Sequence, residues 1–329
     1  MVRVTNKLCR IKQYRRVKEV IAIGKFDLKN AEQVRMSITT NEAKNIRRAY
    51  ERLYQEVTNK VANLGNGALQ KQNLMLLQRD LKTRIQILNE QIKSDVVEDM
   101  RTTSQAVVED TRTFLKHCGF KDSEIHNAFQ YVPDQIVRNV LTGNVYGDGW
   151  TLSNAIWKHT QRTQGILNNI IGKGVAQGKS AFEVAKDIEK YVNPGMRKQS
   201  RKIDFINPRT GRKDTFYFGN VDYNAQRLAR TLISHAYQQS FMNVNRNDPF
   251  VQDYVWHSAG IHGRTCDVCM ERDGKHFKKD ELPVDHPNGM CTYEAYIPDS
   301  MSSIADKIAD WYEAPIGTYP DIDRYAMDF

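Results

Sequence analysis

The chain lacks an apolar run near the ~20 residues that a membrane span requires, so no membrane partner is expected of its 329 residues. Its first residues are charged and the next are too polar for a signal-peptide core, so a soluble protein made inside a cell is expected. A P-loop, a Rossmann glycine fingerprint and a serine-nucleophile motif are all missing, which removes the common nucleotide-dependent and acyl-transfer enzymes. Cysteine is scarce: five residues, an odd number, with three of them at 266, 269 and 291. That usage suits a reducing compartment and metal better than a disulfide framework. Glycine and proline are both absent from residues 68–118, so nothing interrupts a helix there.

Charge is present and uneven. The formal net charge is +9, and residues 1–48 hold 13 Lys and Arg against 4 Asp and Glu, which leaves the remainder balanced. Arg3, Lys7, Arg10, Lys12, Arg15, Arg16 and Lys18 make a basic arm over residues 1–36, whose electrostatics suit non-specific contact with phosphates. A second basic group spans residues 197–213. The segment from 297 onward is acidic, seven against two. Runs of charge are more commonly solvated surface than binding sites.

Thr39-Thr40-Asn41-Glu42 has the form of a capping box and predicts a helix from there to about residue 64, ending at Gly65-Asn66-Gly67. In residues 68–118, Leu74, Leu77, Leu81, Ile85, Leu88, Ile92 and Val96 recur at steps of three and four along one face. At 1.5 Å per residue such a helix reaches ~75 Å, so it pairs with residues 40–64 or docks on another subunit. Gly119 supplies a stop, and Pro133 breaks or restarts the helix that follows. Turn formers at residues 142–149 mark the clearest boundary, after which helices are expected near 151–176 and 180–192.

The period then changes. Residues 202–219 read as a hairpin whose tip carries Arg209, Arg212 and Lys213, with Phe216, Tyr217 and Phe218 close by. This tip could meet phosphates, although aromatics at strand spacing are more often buried. A helix over residues 223–243 contains His235 among apolar neighbours, which reads as a satisfied, semi-buried histidine. A strand over residues 254–258 follows.

Cys266 and Cys269, two residues apart, can grip one ion from a tight turn, and after sixteen more residues His286 and Cys291 offer a second pair. Cys266, Cys269, His286 and Cys291 form a Cys3His set, the count of a closed structural zinc site, which leaves no open position for catalysis. Asp273-Gly274 between the pairs is a hairpin signal. His257, His262 and His276 lie near enough in sequence to replace His286, and the plain alternative is a stiff hairpin with three reduced thiols that bind nothing.

Arg264-Thr265-Cys266, Asp273-Gly274, Phe277, Pro283 and His286-Pro287-Asn288 together resemble the C-terminal signature of the Mu F-like minor head proteins of tailed phages. Those proteins typically read Asp-x-Arg-Thr, Leu-Asp-Gly, then His-Pro-Asn-Cys-Arg-Cys. In this chain Gly289 and Met290 stand at the first cysteine and the arginine of the last motif, and His262 stands at the leading aspartate. Upstream, Leu152 to Trp157, Gly178-Lys179-Ser180, Glu183 to Lys186 and the helix containing Arg230-Thr231 follow the family's order over residues 147–298.

The resemblance implies a minor head protein with no enzymatic activity. It would be present in few copies, bound to the portal protein during procapsid assembly, and in contact with packaged double-stranded DNA. Major capsid or scaffold protein would be a further partner. Its place would be the host cytoplasm during assembly and then the virion, inside the capsid near the portal. The expected fold is α+β and predominantly α-helical. It comprises a basic arm (1–36), a helical domain with long helices (37–146), a Mu F-like module (147–298) with a Cys/His zinc-ribbon-like hairpin at 254–293, and an acidic tail (299–329). Two other classes stay open. A virion-associated or toxin-like metal-dependent nuclease would use His257, His262, Asp273, His286 and Asn288, but acidic ligands are sparse around these histidines and only about thirty residues follow Pro298. A zinc-ribbon DNA-binding regulator would share the arm and the hairpin.

Overall fold

Two long helices give the molecule its frame, α1 (Lys29–Ala62) and α2 (Lys71–Cys118). The computed structural model describes residues 28–62, 71–143, 152–179, 181–192, 201–206, 213–218, 221–260 and 265–327. The helices pack side by side, as an intramolecular pair. Leu28, just before α1, and Ala31, Arg35, Thr39, Glu42, Ile46, Tyr50, Leu53 and Val57 along the helix are buried at steps of three and four. Three of these nine are polar, which hides the stripe from a hydrophobic reading and explains why the helix starts ten residues before the expected cap. Thr39 lies inside the helix, its hydroxyl donating to the Arg35 carbonyl at 2.7 Å. Of the predicted stripe in α2, Leu81, Ile85 and Val96 are buried, and Leu88 and Ile92 pack against the core. Leu74 and Leu77 lie where side chains are outside the description. Lys60 pairs with Asp80 at 2.6 Å, and Arg84 bridges Asp80 and Glu56, tying the far ends of the two helices.

α2 stops where expected. Gly119 takes φ +108, its N–H bonds the Lys116 carbonyl, and Phe120 N–H bonds that of Leu115. Two short helices follow, α3 (Asp122–Phe129) and α4 (Val132–Thr142), with Pro133 in the first turn of α4, where its missing N–H costs nothing. α5 (Leu152–Ala176) and α6 (Ala181–Val192) agree with the predicted pair to within a residue. β1 (Arg201–Ile206) and β2 (Lys213–Phe218) form the predicted antiparallel hairpin, with Arg201 opposite Phe218 and Ile206 opposite Lys213.

α7 (Val221–Asn245) occupies the centre, against α1, α2 and α4. Thirteen of its residues from Ala225 to Val244 are buried. A helix buried almost all round is a core helix. Its Ser240 hydroxyl donates to that of Ser104 on α2 at 2.8 Å. A three-stranded antiparallel sheet lies beyond it, in the order β4–β3–β5, from β3 (Asp253–His257), β4 (His276–Phe277) and β5 (Thr292–Tyr296). Tyr254, Trp256, Tyr293 and Ala295 point inward from it, and Phe241 of α7 meets Tyr254 edge-on at 4.9 Å. Between β3 and β4 sits a six-residue helix, α8 (Asp267–Arg272).

The acidic C-terminal segment is folded. α9 (Met301–Glu313) and α10 (Pro320–Met327) return to the end of α2, where Trp311 and Tyr325 each lie 6.1 Å from Phe120. Tyr312 donates to Glu124 of α3 at 2.7 Å. Ile304, Ile308, Ile322 and Tyr325 are buried, so an amphipathic pattern overrides the net charge of the segment. The fold is α+β and mainly helical, as expected.

Candidate metal centre

The first ligand pair lies on α8. Cys266 is its N-cap residue and Cys269 follows one turn later, with the Met270 N–H bonded to the Cys266 carbonyl at 3.0 Å. Spacing of three on a helix puts both thiols on one side. Asp273 and Gly274 then turn the chain back. Gly274 at φ +70 gives its N–H to Trp256, and the Asp273 carboxylate accepts from Ser258 N–H at 2.7 Å, so this aspartate has a turn to hold.

The second pair lies on the loop from Leu282 to Cys291, which α7 straps down with one face. Gln238 donates to the Pro283 carbonyl at 2.7 Å and accepts from the Asp285 N–H at 3.1 Å. Ser234 donates to the Gly289 carbonyl at 2.9 Å. The Thr231 hydroxyl accepts from Asn288 N–H at 2.8 Å, and Arg230 donates to the Asn288 side chain at 2.5 Å. Asn288 needs these anchors, because it sits in the left-handed region at φ 68. The ring Nε2 of His235 lies 3.2 Å from the Asp285 carbonyl, and the ring is fully buried where a semi-buried one was expected; burial holds its pKa below the ordinary value. From the far side of the molecule, Arg35 of α1 donates to the carbonyls of Met290 (3.2 Å) and Cys291 (3.1 Å) and lies over the Tyr237 ring at 4.5 Å.

The four predicted ligands fall there into two overlapping groups. Cys266, Cys269 and His286 offer donor atoms within 4.8 Å of one another, and Cys269, Asp285 and Cys291 do so as well, with Cys269 common to both groups. Of the candidate histidines, His286 is the one that joins. His257 pairs instead with Glu294 at 3.2 Å and His276 with Asp253 at 3.7 Å on the sheet, and His262 lies outside the described residues. Cys118 is buried elsewhere, its thiol pushed upward by burial.

Asp285 was not legible as a member. It is 1% exposed, and its carboxylate accepts the N–H groups of His286 (2.8 Å) and Cys291 (3.3 Å). A Cβ at Gly289 would come within 2.2 Å of both its oxygens. The position that reads cysteine in the family motif is therefore closed to any side chain in this one. Only the adjacency of Asp285 to His286 could have pointed to it, and adjacency is a weak signal.

The electrostatics are those of a metal-ready cluster holding protons. A hydrogen bond to Cys291, with burial, pushes the Cys269 thiol up to about 12. Burial opposes charge on His286, yet the Cys269 thiol and Asp285 carboxylate beside it keep its pKa above the ordinary value. An entering ion would displace these protons. Its Nδ1 lies 3.0 Å from the Pro287 carbonyl. With the proton placed there, Nε2 keeps its lone pair for a ligand. Three thiols, an imidazole and a carboxylate suit a borderline-soft divalent ion.

The residues predicted to meet nucleic acid are not brought into view. Arg3, Lys7, Arg10, Lys12, Arg15, Arg16 and Lys18, with Arg209 and Arg212, lie outside the described residues, and Lys213 is described only as the first backbone position of β2.

Residues 165–292 match the family model described as Phage Mu protein F like protein. The match runs from within α5 to the start of β5. It takes in α7, α8, the strapped loop and every residue of the thiol cluster, and it falls inside the range over which the sequence resemblance was drawn. Over these 128 of the 329 residues the chain is similar to the phage Mu F-like family. No curated protein and no solved structure matches the chain. None of the described helices is long and apolar enough to cross a membrane.

Proposed function

We propose that this chain is a minor head protein of a tailed phage. It docks on the portal protein during procapsid assembly and remains in the capsid interior near the portal. The observation that carries the reading is the family match, which coincides with the best-anchored part of the molecule, the module centred on α7 and its strapped loop. A rigid body of that kind suits an assembly role and needs no catalytic centre. Its loop is braced by one structural Zn2+ on Cys266, Cys269, His286 and Cys291, an ion that ties α8 to the loop covalently where weak contacts alone would join them. The basic arm, residues 1–36, contacts packaged DNA through its phosphates, with an affinity that falls steeply as salt rises.

Co-expression with the portal protein, followed by native mass spectrometry, tests the reading. A portal ring carrying a small, reproducible number of these chains is expected. A ring that purifies bare, beside a free monomeric chain, would overturn the assembly role.

A further inference from the structure

We propose that Asp285 is a ligand of the same ion, so that five donors rather than four surround it; the inference rests on the zinc reading above. The first support is position. The Asp285 carboxylate, Cys269 Sγ and Cys291 Sγ lie within 4.8 Å of one another, and all three residues are buried. It shares Cys269 with the group of Cys266, Cys269 and His286; the five donors do not all lie within 4.8 Å of one another, so the ion would draw the two groups together.

The second support is the cost of the carboxylate where it stands. The hydrogen bonds to it come from two backbone N–H groups, those of His286 and Cys291. Two backbone donors replace only part of the hydration that a buried carboxylate gives up. Each carboxylate oxygen keeps a further lone pair, which a divalent cation at that side would take up.

The third is the space made for it. Gly289 leaves vacant the volume that a Cβ would fill, 2.2 Å from both carboxylate oxygens, so the oxygens press against bare backbone and face the thiols. A side chain at 289 would push the carboxylate out of the group.

The fourth is charge. Thiolates and a carboxylate around one dication leave the cluster anionic, and a buried guanidinium stands behind it. Arg35, 1% exposed, bonds to the carbonyls of Met290 and Cys291, and so places its positive charge against the ligand loop itself. Zn2+ has no d-electron preference of geometry, and the added oxygen turns the site from softer ions such as Cu+ toward Zn2+ and Co2+.

The test uses the full chain purified without oxygen in the presence of zinc. One zinc per chain is expected, with an X-ray absorption first shell of about three sulfurs and two nitrogen or oxygen donors, from the five residues named. In D285N the shell should lose one light donor and zinc affinity, read by competition with a chromophoric chelator, should fall by roughly 10–100-fold. G289A should do the same by displacing the carboxylate, and the double variant should be no worse than either, since both remove one contact. A wild-type shell of three sulfurs and a single nitrogen overturns the proposal without any variant, and so does a D285N protein with unchanged shell and affinity. Absence of zinc from a chain that still sits on the portal ring would overturn the metal readings and leave the head-protein reading standing.

Discussion

Buried polar groups meet in two places in this molecule, and they are treated differently. Around the loop from Leu282 to Cys291, four residues of α7 and Arg35 of α1 serve the backbone of one segment, and Arg230 of α7 holds the Asn288 side chain. Buried nitrogens without a hydrogen-bond partner occur there too, Arg35 Nε among them. At the contact of α1 and α2, by contrast, Glu42 and Asp99 are drawn into the interface with Glu42 Oε1 and Asp99 Oδ2 unpartnered. Burial, with Asp99 and Asp95 nearby, raises Glu42 to about 7, and burial raises Asp99 to about 6. Asn45 opposes the shift on Glu42, and Arg48 and Arg52 stand along the same groove of about 420 Å³. One region uses buried polarity to fix a backbone. The other tolerates it as a pH-dependent weakness in a helix pair. The difference lies in supply: a loop offers free N–H and C=O groups to bond, whereas two helices have already spent theirs.

The sharpest way to break the comparison is Arg35→Met. It leaves two buried carbonyls without donors, at ~1–3 kcal/mol each, so a loss of about 3–5 kcal/mol is expected in urea unfolding. A loss below about 1 kcal/mol would mean that the guanidinium is not what joins α1 to the loop.

Glu42 gives the next effect, with a definite sign. Its folded pKa of about 7 lies above the ordinary 4.5, so the folded state holds the proton more tightly. Stability should therefore fall as pH rises from 4.5 through 7 and stay low above that. At ~1.4 kcal/mol per unit, and with some of the burden shared by Asp99, the loss is about 2–3 kcal/mol. Glu42→Gln should flatten this slope and be the more stable protein at pH 8. An unchanged slope would assign the weakness to Asp99 alone.

Thr231→Val is the smallest. It removes the acceptor of the Asn288 N–H, at a cost of about 1–2 kcal/mol, and should also loosen the loop that carries His286. Equal stability and equal zinc affinity would show that Arg230 suffices to hold Asn288 in its left-handed conformation.

Much of this was legible in the residues. The helix pair at 152–176 and 181–192, the stop at Gly119 and the β1–β2 hairpin follow from periodicity and turn formers, which are local properties. The start of α1 was misjudged because Thr39 and Glu42 imitate a cap while acting as buried members of a stripe.

By itself the sequence determined the mainly helical class and the order of the elements, because each is encoded within a few turns of chain. Tertiary structure alone decided the rest. It set Asp285 beside Cys269 and Cys291, laid its carboxylate against Gly289, and gave Arg35 to a loop 256 residues away from it. Those outcomes depend on which buried groups find partners when distant segments close together. No local pattern can record that, because the energy of a buried polar atom is set by what surrounds it in space.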